Sequence, residues 1–182
     1  MVADIGAGDG RAVLARARAE PASLVLGVDA AAPAMAEASG RAARRGPANA
    51  LFLAAGAETL SESVLAGRVD LVTVTFPWGS LLRGVLGLDL EALAGVAALV
   101  APGGRVEVLA SVVPSDRIDG ISSLDPSWEP AICRAWATAG LDLASMRLAT
   151  SEEVVASRST WARRLRAGGD TRAVWRLDLC RP

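Results

Sequence analysis

Short apolar runs alternate along this chain with longer alanine-rich segments, and the two kinds of segment have different periods. VADI (2–5), LVLGVD (24–29), ALFLAAG (50–56), DLVTVTFPW (70–78), GRVEVLASVV (104–113), LASMRLAT (143–150) and AVWRLDL (173–179) are rich in aliphatic and β-branched side chains and read as seven strands. Residues 10–20, 31–45, 59–67 and 88–100, between the first five, are helix-compatible, so each strand passes into a helix and back as βαβ units require. Pro102-Gly103-Gly104 stops the fourth of these helices, and Gly140 closes a further helical segment over 128–139. The pattern predicts an α/β fold, a seven-stranded mostly parallel sheet with helices on both faces. No internal repeat divides the chain, and 182 residues suit one domain.

Composition narrows the chemistry. At 52% hydrophobic and 21% charged the chain should fold as a packed globule. No apolar run reaches the ~18 residues of a membrane span, and MVADIGAGDG lacks the charged and apolar regions of a leader, so a cytoplasmic protein with no membrane partner is expected, as a monomer. The first strand has only four residues before Gly6, which suggests that some upstream sequence is missing. Net charge is −1, so any nucleic-acid surface must be a local patch. All 19 basic residues are Arg; with no Lys, His or Tyr, Schiff-base lysines, histidine bases and histidine metal sites are excluded. The arginine and alanine bias also fits a GC-rich genome, so missing Lys weighs less than missing His. Cys133 and Cys180 have no CxxC spacing and read as reduced thiols, with no metal expected.

Asp4-Ile5-Gly6-Ala7-Gly8-Asp9-Gly10 falls where the first strand meets the first helix, and its alternate glycines permit a tight turn with close backbone approach to a ligand. Asp29 ends the second strand 21 residues after Gly8, near the ~20 expected for a carboxylate that holds ribose hydroxyls. A nucleotide-type cofactor follows. The GxGxG pattern preceded by Asp resembles the first motif of Rossmann-like class I methyltransferases, which implies S-adenosylmethionine. Its carboxylate would meet the first helix N-terminus and its ammonium Asp4. Ala57-Glu58 follows the third strand at the same sheet edge; Glu58 is either an acceptor for the adenine amino group or a solvated helix-start carboxylate.

Two further constellations concern a substrate. The fourth strand runs into Thr75-Phe76-Pro77-Trp78-Gly79-Ser80, where Pro and Gly hold Trp78 in a turn beside the cofactor pocket, placed to stack a planar group. Between 151 and 173 lies a connection longer than ordinary, with Arg158, Trp161, Arg163, Arg164, Arg166 and Arg172; from 158 to 176 six Arg and one Asp sum to +5. Guanidinium forks pair with phosphates and indole faces stack unpaired bases, which suits RNA. The plainer alternative is a solvated helix with Trp161 and Leu165 turned inward. Arg41, Arg44 and Arg45 add +3 on the second helix, by itself an ordinary solvated face. Trp128, Trp136 and Trp175 read as packing.

FPWGSLL together with STWARRL resembles the 16S rRNA adenine-1408 N1-methyltransferases that confer resistance to aminoglycosides such as kanamycin and apramycin. DIGAGDGR, GVDA and PANALFLAAGAETL precede them in the family's order, so the resemblance spans nearly the whole chain. It implies that Trp78 and Trp161 sandwich a flipped adenine. It implies cofactor contacts from Asp4, Gly6, Asp29, Ala57, Glu58, Thr75, Ser80 and Ser159, RNA contacts from Arg164 and Arg172, and the 30S subunit as partner; the glycine turn itself adds Gly8 to the cofactor residues, and the basic connection adds Arg158 and Arg163 to the RNA-binding ones. One family arginine is replaced within Gly168-Gly169-Asp170, and the family's upstream β-hairpin has no counterpart. Adenine N1 carries a lone pair and no proton, so no general base is needed. The rivals are a small-molecule methyltransferase and a non-catalytic RNA-binding module; cofactor binding separates the second, and the +5 segment argues against the first.

Overall fold

In the computed structural model, which describes residues 1–165 and 172–182, the β-rich runs form one seven-stranded sheet. Its strands are β1 (Val2–Ile5), β2 (Val25–Asp29), β3 (Ala50–Ala54), β4 (Val69–Thr75), β5 (Val100–Ala110), β6 (Asp142–Leu148) and β7 (Trp175–Cys180), in the spatial order β3-β2-β1-β4-β5-β7-β6. The first five pair in parallel and β7 runs antiparallel to both β5 and β6. The chain winds outward from β1 to β3, then returns to place β4 on the other side of β1. The carboxyl ends of β1 and β4 therefore form a topological switch point, where open α/β sheets hold their ligands.

The helices α1 (Arg11–Ala19) and α2 (Ala32–Arg45) pack Val13, Leu14, Ala17, Met35 and Ala38 against Val25 and Ala50. Gly27 lets α1 settle closely on β2, since a Cβ there would lie 2.8 Å from Val13. A larger apolar layer gathers α3 (Gly79–Val85), α4 (Leu90–Leu99) and α5 (Glu129–Thr138) around Ile5, Val72, Val74, Val106, Val108, Leu177 and Leu179. Trp136 is fully buried in this layer and its indole N–H donates to the Val85 carbonyl at 3.0 Å. Asp89 starts α4 by accepting from the Ala92 N–H.

Two stretches differ from the pattern-based expectation, and a third fills in what the pattern left open. The predicted helix over 59–67 is a single 3-10 segment, Ala57–Glu62, because Thr59 and Ser63 turn their hydroxyls back onto the carbonyls of Gly56 and Leu60 and compete with helix propagation. Helix α3 was not foreseen; it starts directly at the Trp78-Gly79 turn. The long connection before β7 folds into α6 (Ser151–Ala156) and α7 (Thr160–Arg164). Among the described residues no helix is long and apolar enough to cross a membrane.

Close packing fixes the Ala57–Glu62 turn. A Cβ on Gly95 of α4 would sit only 1.8 Å from the Ala57 carbonyl oxygen, so that turn and α4 touch backbone to backbone. Gly95→Ala must push α4 away from the turn, with an expected cost of about 1–3 kcal/mol. Urea denaturation measures it, and an unchanged midpoint would contradict this packing.

Candidate functional site

Alternate glycines shape the turn after β1. Gly6, Gly8 and Gly10 all have positive φ (77°, 56° and 68°), and the N–H groups of Gly6 and Ala7 both donate to the Val28 carbonyl, which pins the turn to β2. Asp29 completes the fastening: one carboxylate oxygen accepts from the Gly8 N–H and the other from the Ala31 N–H, each at 2.8 Å. Each oxygen keeps a lone pair for a ligand hydroxyl. A Cβ on Gly8 would meet no atom within 4 Å, because the space beside it is a cleft of about 300 Å³.

That cleft gathers Gly6, Gly8, Asp29, Ala57, Glu58 and Ser80 with Trp78 and Trp161. The residues come from the end of β2 and four separate connections, and the switch point brings them together. Asp4 and Thr75 lie instead in a second cleft of about 280 Å³ on the other side of the turn, with Arg16, Thr73, Ser157 and Arg158. Ser159 lines neither; its hydroxyl accepts from the Ala162 N–H and caps α7. Apart from Ser159, the sequence-predicted cofactor residues thus divide between two clefts. A nucleoside suits the first, where backbone approaches closely and a carboxylate is in reach. The charged end of an amino acid suits the second, where acid and guanidinium groups face each other.

Trp78 and Trp161 are each 40% exposed, with ring centroids 6.2 Å apart and planes tilted by 45°. Backbone strain helps to aim the first. Phe76 adopts φ 51°, unusual for a bulky side chain, yet is 4% exposed and its N–H donates to the Leu109 carbonyl at 2.7 Å. Phe76 and Pro77 point inward and Trp78 outward. On the facing connection Ala162 is buried while Trp161 is not, which answers the alternative of an inward-turned Trp161. The two supports meet: Phe76, Leu109, Val154, Ala162 and Val174 form one small apolar cluster, which takes in a near chain neighbour of each tryptophan.

The arginines fall into two groups. Arg158, Arg163 and Arg164 are exposed, and the Arg164 guanidinium lies 5.5 Å over the Trp161 ring, a cation–π distance. Arg172 departs from the expectation of a phosphate contact. It is 8% exposed and bonds both oxygens of Asp116, at 3.0 and 2.5 Å, holding that carboxyl below its ordinary range. Its partner lies 56 residues away in a connection that offered no signal in sequence. Arg176 is likewise occupied by Glu107, Glu153 and Asp178. The replacement within Gly168-Gly169-Asp170, and Arg166, lie outside the described residues. Arg41, Arg44 and Arg45 join Arg18 around a hollow at the carboxyl ends of α1 and α2, and Arg41 is paired with Glu37.

Residues 1–179 match the family described as NpmA: 16S rRNA (adenine(1408)-N(1))-methyltransferase. The chain belongs to this family. It is 36% identical over 182 residues to the 16S rRNA (adenine(1408)-N(1))-methyltransferase of Streptoalloteichus tenebrarius, a match that covers 93% of this chain and 82% of the relative. The crystal structure of the 16S rRNA methyltransferase KamB superposes with a TM-score of 0.84 at 35% identity, covering 100% of this chain and 87% of that one. A tryptophan-to-alanine variant of the Catenulisporales acidiphilia enzyme, solved with cosubstrate SAM, gives a TM-score of 0.84 at 32% identity over 99% of this chain and 84% of that one. The seven-stranded sheet is thus the class I methyltransferase fold of this 16S rRNA methyltransferase family.

Asp4 gives the second cleft a titratable wall. Burial raises its carboxyl from the usual 3.8 to about 6, against the Thr73 hydrogen bond and Arg16, which lower it, while Asp29 adds to the rise. Between the ordinary carboxylate range and about pH 6 the folded protein keeps a proton that the unfolded chain releases, so stability without ligand falls as pH rises through that window. Affinity for a ligand ammonium moves the other way, because the charged carboxylate attracts it. S-adenosylmethionine should therefore bind several-fold more tightly at about pH 7.5 than at about pH 5, with a flatter profile in Asp4→Asn. Calorimetry checks this, and a flat profile in the parent would remove Asp4 from the site.

Proposed function

We propose that this chain transfers the methyl group of S-adenosylmethionine to N1 of adenine 1408 of 16S rRNA in the 30S subunit, the modification associated with aminoglycoside resistance. The observation that carries the reading is the exposed pair Trp78 and Trp161, which faces the cleft beside the Gly6–Gly8 turn. Stacked bases lie roughly 3.4 Å apart, so rings on either side of one base stand about 6.8 Å apart. At 6.2 Å and a 45° tilt the indoles are near that spacing, and need to part by roughly 0.6 Å and turn toward parallel to admit a base.

S-adenosylmethionine supplies an electrophilic sulfonium methyl when bound. Asp29 and the Gly8 backbone are suited to hold its ribose, Glu58 its adenine amino group, and Asp4 its ammonium. The N1 lone pair of adenine attacks the methyl carbon as the carbon–sulfur bond breaks, and the sulfonium electrons return to sulfur. N1 loses no proton, so the absence of histidine costs nothing. The chain's task is placement, which supplies on the order of 7–11 kcal/mol when the reacting atoms are well aligned. Flipping a base costs a few kcal/mol. Stacking against an aromatic face returns about 1–3 kcal/mol, so two indoles roughly offset the cost. Arg158, Arg163 and Arg164, exposed beside the clamp, are placed for the flanking phosphates.

The test uses purified 30S subunits, labelled S-adenosylmethionine and reverse-transcription stops. The parent should place one methyl group at adenine 1408. Trp78→Ala and Trp161→Ala should each lower transfer roughly 5- to 150-fold while S-adenosylmethionine affinity stays within about twofold, and Phe at either position should restore part of the activity. Loss of cofactor binding together with activity would make the tryptophans packing residues, and a stop at another position would overturn the substrate.

A further inference from the structure

Helix α7, which carries Trp161, follows α6 after only residues 157–159, and one carboxylate fastens α6 to the sheet. Glu153 accepts hydrogen bonds from both terminal nitrogens of Arg147, at 2.9 and 2.5 Å, and lies 3.3 Å from a terminal nitrogen of Arg176. It also accepts from the Thr150 N–H, while the Thr150 hydroxyl accepts from the Glu153 N–H, a reciprocal cap at the start of α6.

Arg147 and Arg176 are direct cross-strand partners of β6 and β7. Like charges so placed repel, and an anion between them relieves the repulsion. Glu107 and Asp178 also reach Arg176, but both belong to the sheet. Glu153 alone among these carboxylates comes from a helix, so its bridge binds α6 to two strands at once.

The neighbouring side chain carries this placement to the clamp. Val154 is buried in the same cluster as Phe76, two residues before Trp78, and Ala162, the residue after Trp161. An α6 that shifted on the sheet would move Val154, and with it the cluster that anchors Phe76 and Ala162, the chain neighbours of the two indoles. The pairs themselves are partly exposed, with Arg147 and Glu153 side chains 44% and 23% accessible, and such pairs add little to global stability.

We propose that Glu153 is a positioning residue for methyl transfer: by bridging Arg147 and Arg176 to α6 it sets Trp161 opposite Trp78. The inference rests on the reading of these two tryptophans as the clamp for the target base.

Glu153→Gln keeps an oxygen for the Thr150 N–H and removes the charge that bridges the arginines. Two readouts apply. The first is the far-ultraviolet circular dichroism couplet of the two close indoles, assigned as the part of the parent spectrum that Trp161→Phe removes; Glu153→Gln should weaken it while the thermal midpoint stays close to the parent's. Glu153 also lines the second cleft, so the other readout is taken at saturating S-adenosylmethionine, which removes any change of affinity. The second is kcat for methyl transfer to 30S subunits at saturating S-adenosylmethionine. It should fall roughly 5- to 30-fold in Glu153→Gln, with less than about a twofold further effect in a Trp161→Ala background. An unchanged couplet, or an equal loss of kcat in both backgrounds, would overturn the proposal. If the parent fails to methylate adenine 1408 while Glu153→Gln still loses the couplet, positioning stands and the assigned reaction falls.

Discussion

Two connections far apart in sequence meet on one small apolar cluster, and the site exists because they do. Phe76 and Leu109 reach it from the ends of β4 and β5, Val154 and Ala162 from the connection before β7, and Val174 from the entry to β7 itself. Its burial holds Phe76 in a left-handed conformation whose strain costs about 1–3 kcal/mol, and that conformation turns the chain so that Trp78 faces outward. The two indoles themselves stay exposed. Without it there would be two loops and no facing pair.

Electrostatics divides the arginines between scaffold and surface. A sum over 158–176 gives +5, but the sum counts only local sequence. Asp116 neutralises Arg172, and Glu107, Glu153 and Asp178 neutralise Arg176, all from outside or beyond that window. The outward field beside the clamp therefore comes from Arg158, Arg163 and Arg164 among the described residues. Of these, Arg164 also lies with its guanidinium over the Trp161 ring. The paired arginines do a different job: they close the two ends of the connection that carries Trp161, Arg147 and Arg176 through Glu153 at its start and Arg172 through Asp116 at its finish.

The sheet was legible because its signals are local. Alternating strand and helix periods, the glycine turn after β1 and the carboxylate ending β2 all lie within short windows, and the switch point follows from their order. Trp78 was legible for the same reason, since flanking Pro and Gly exclude a core strand. What escaped depends on distant partners or on weak propensities. The segment over 59–67 looks helical in composition, yet its hydroxyls bond back to the backbone. Helices α6 and α7 have six and five residues, too short for a periodic pattern to emerge. The role of Arg172 required Asp116, and the division of the cofactor residues between two clefts required the third dimension.

If one cluster supports both indoles so that they act as a single clamp, their contributions to methyl transfer cannot be independent. A double-mutant cycle over Trp78→Ala and Trp161→Ala, read as single-turnover transfer to 30S subunits, measures this most directly. The account predicts that the double variant is no slower than the slower single variant, within about twofold. Rate losses that multiply would show two separate contacts and contradict the clamp.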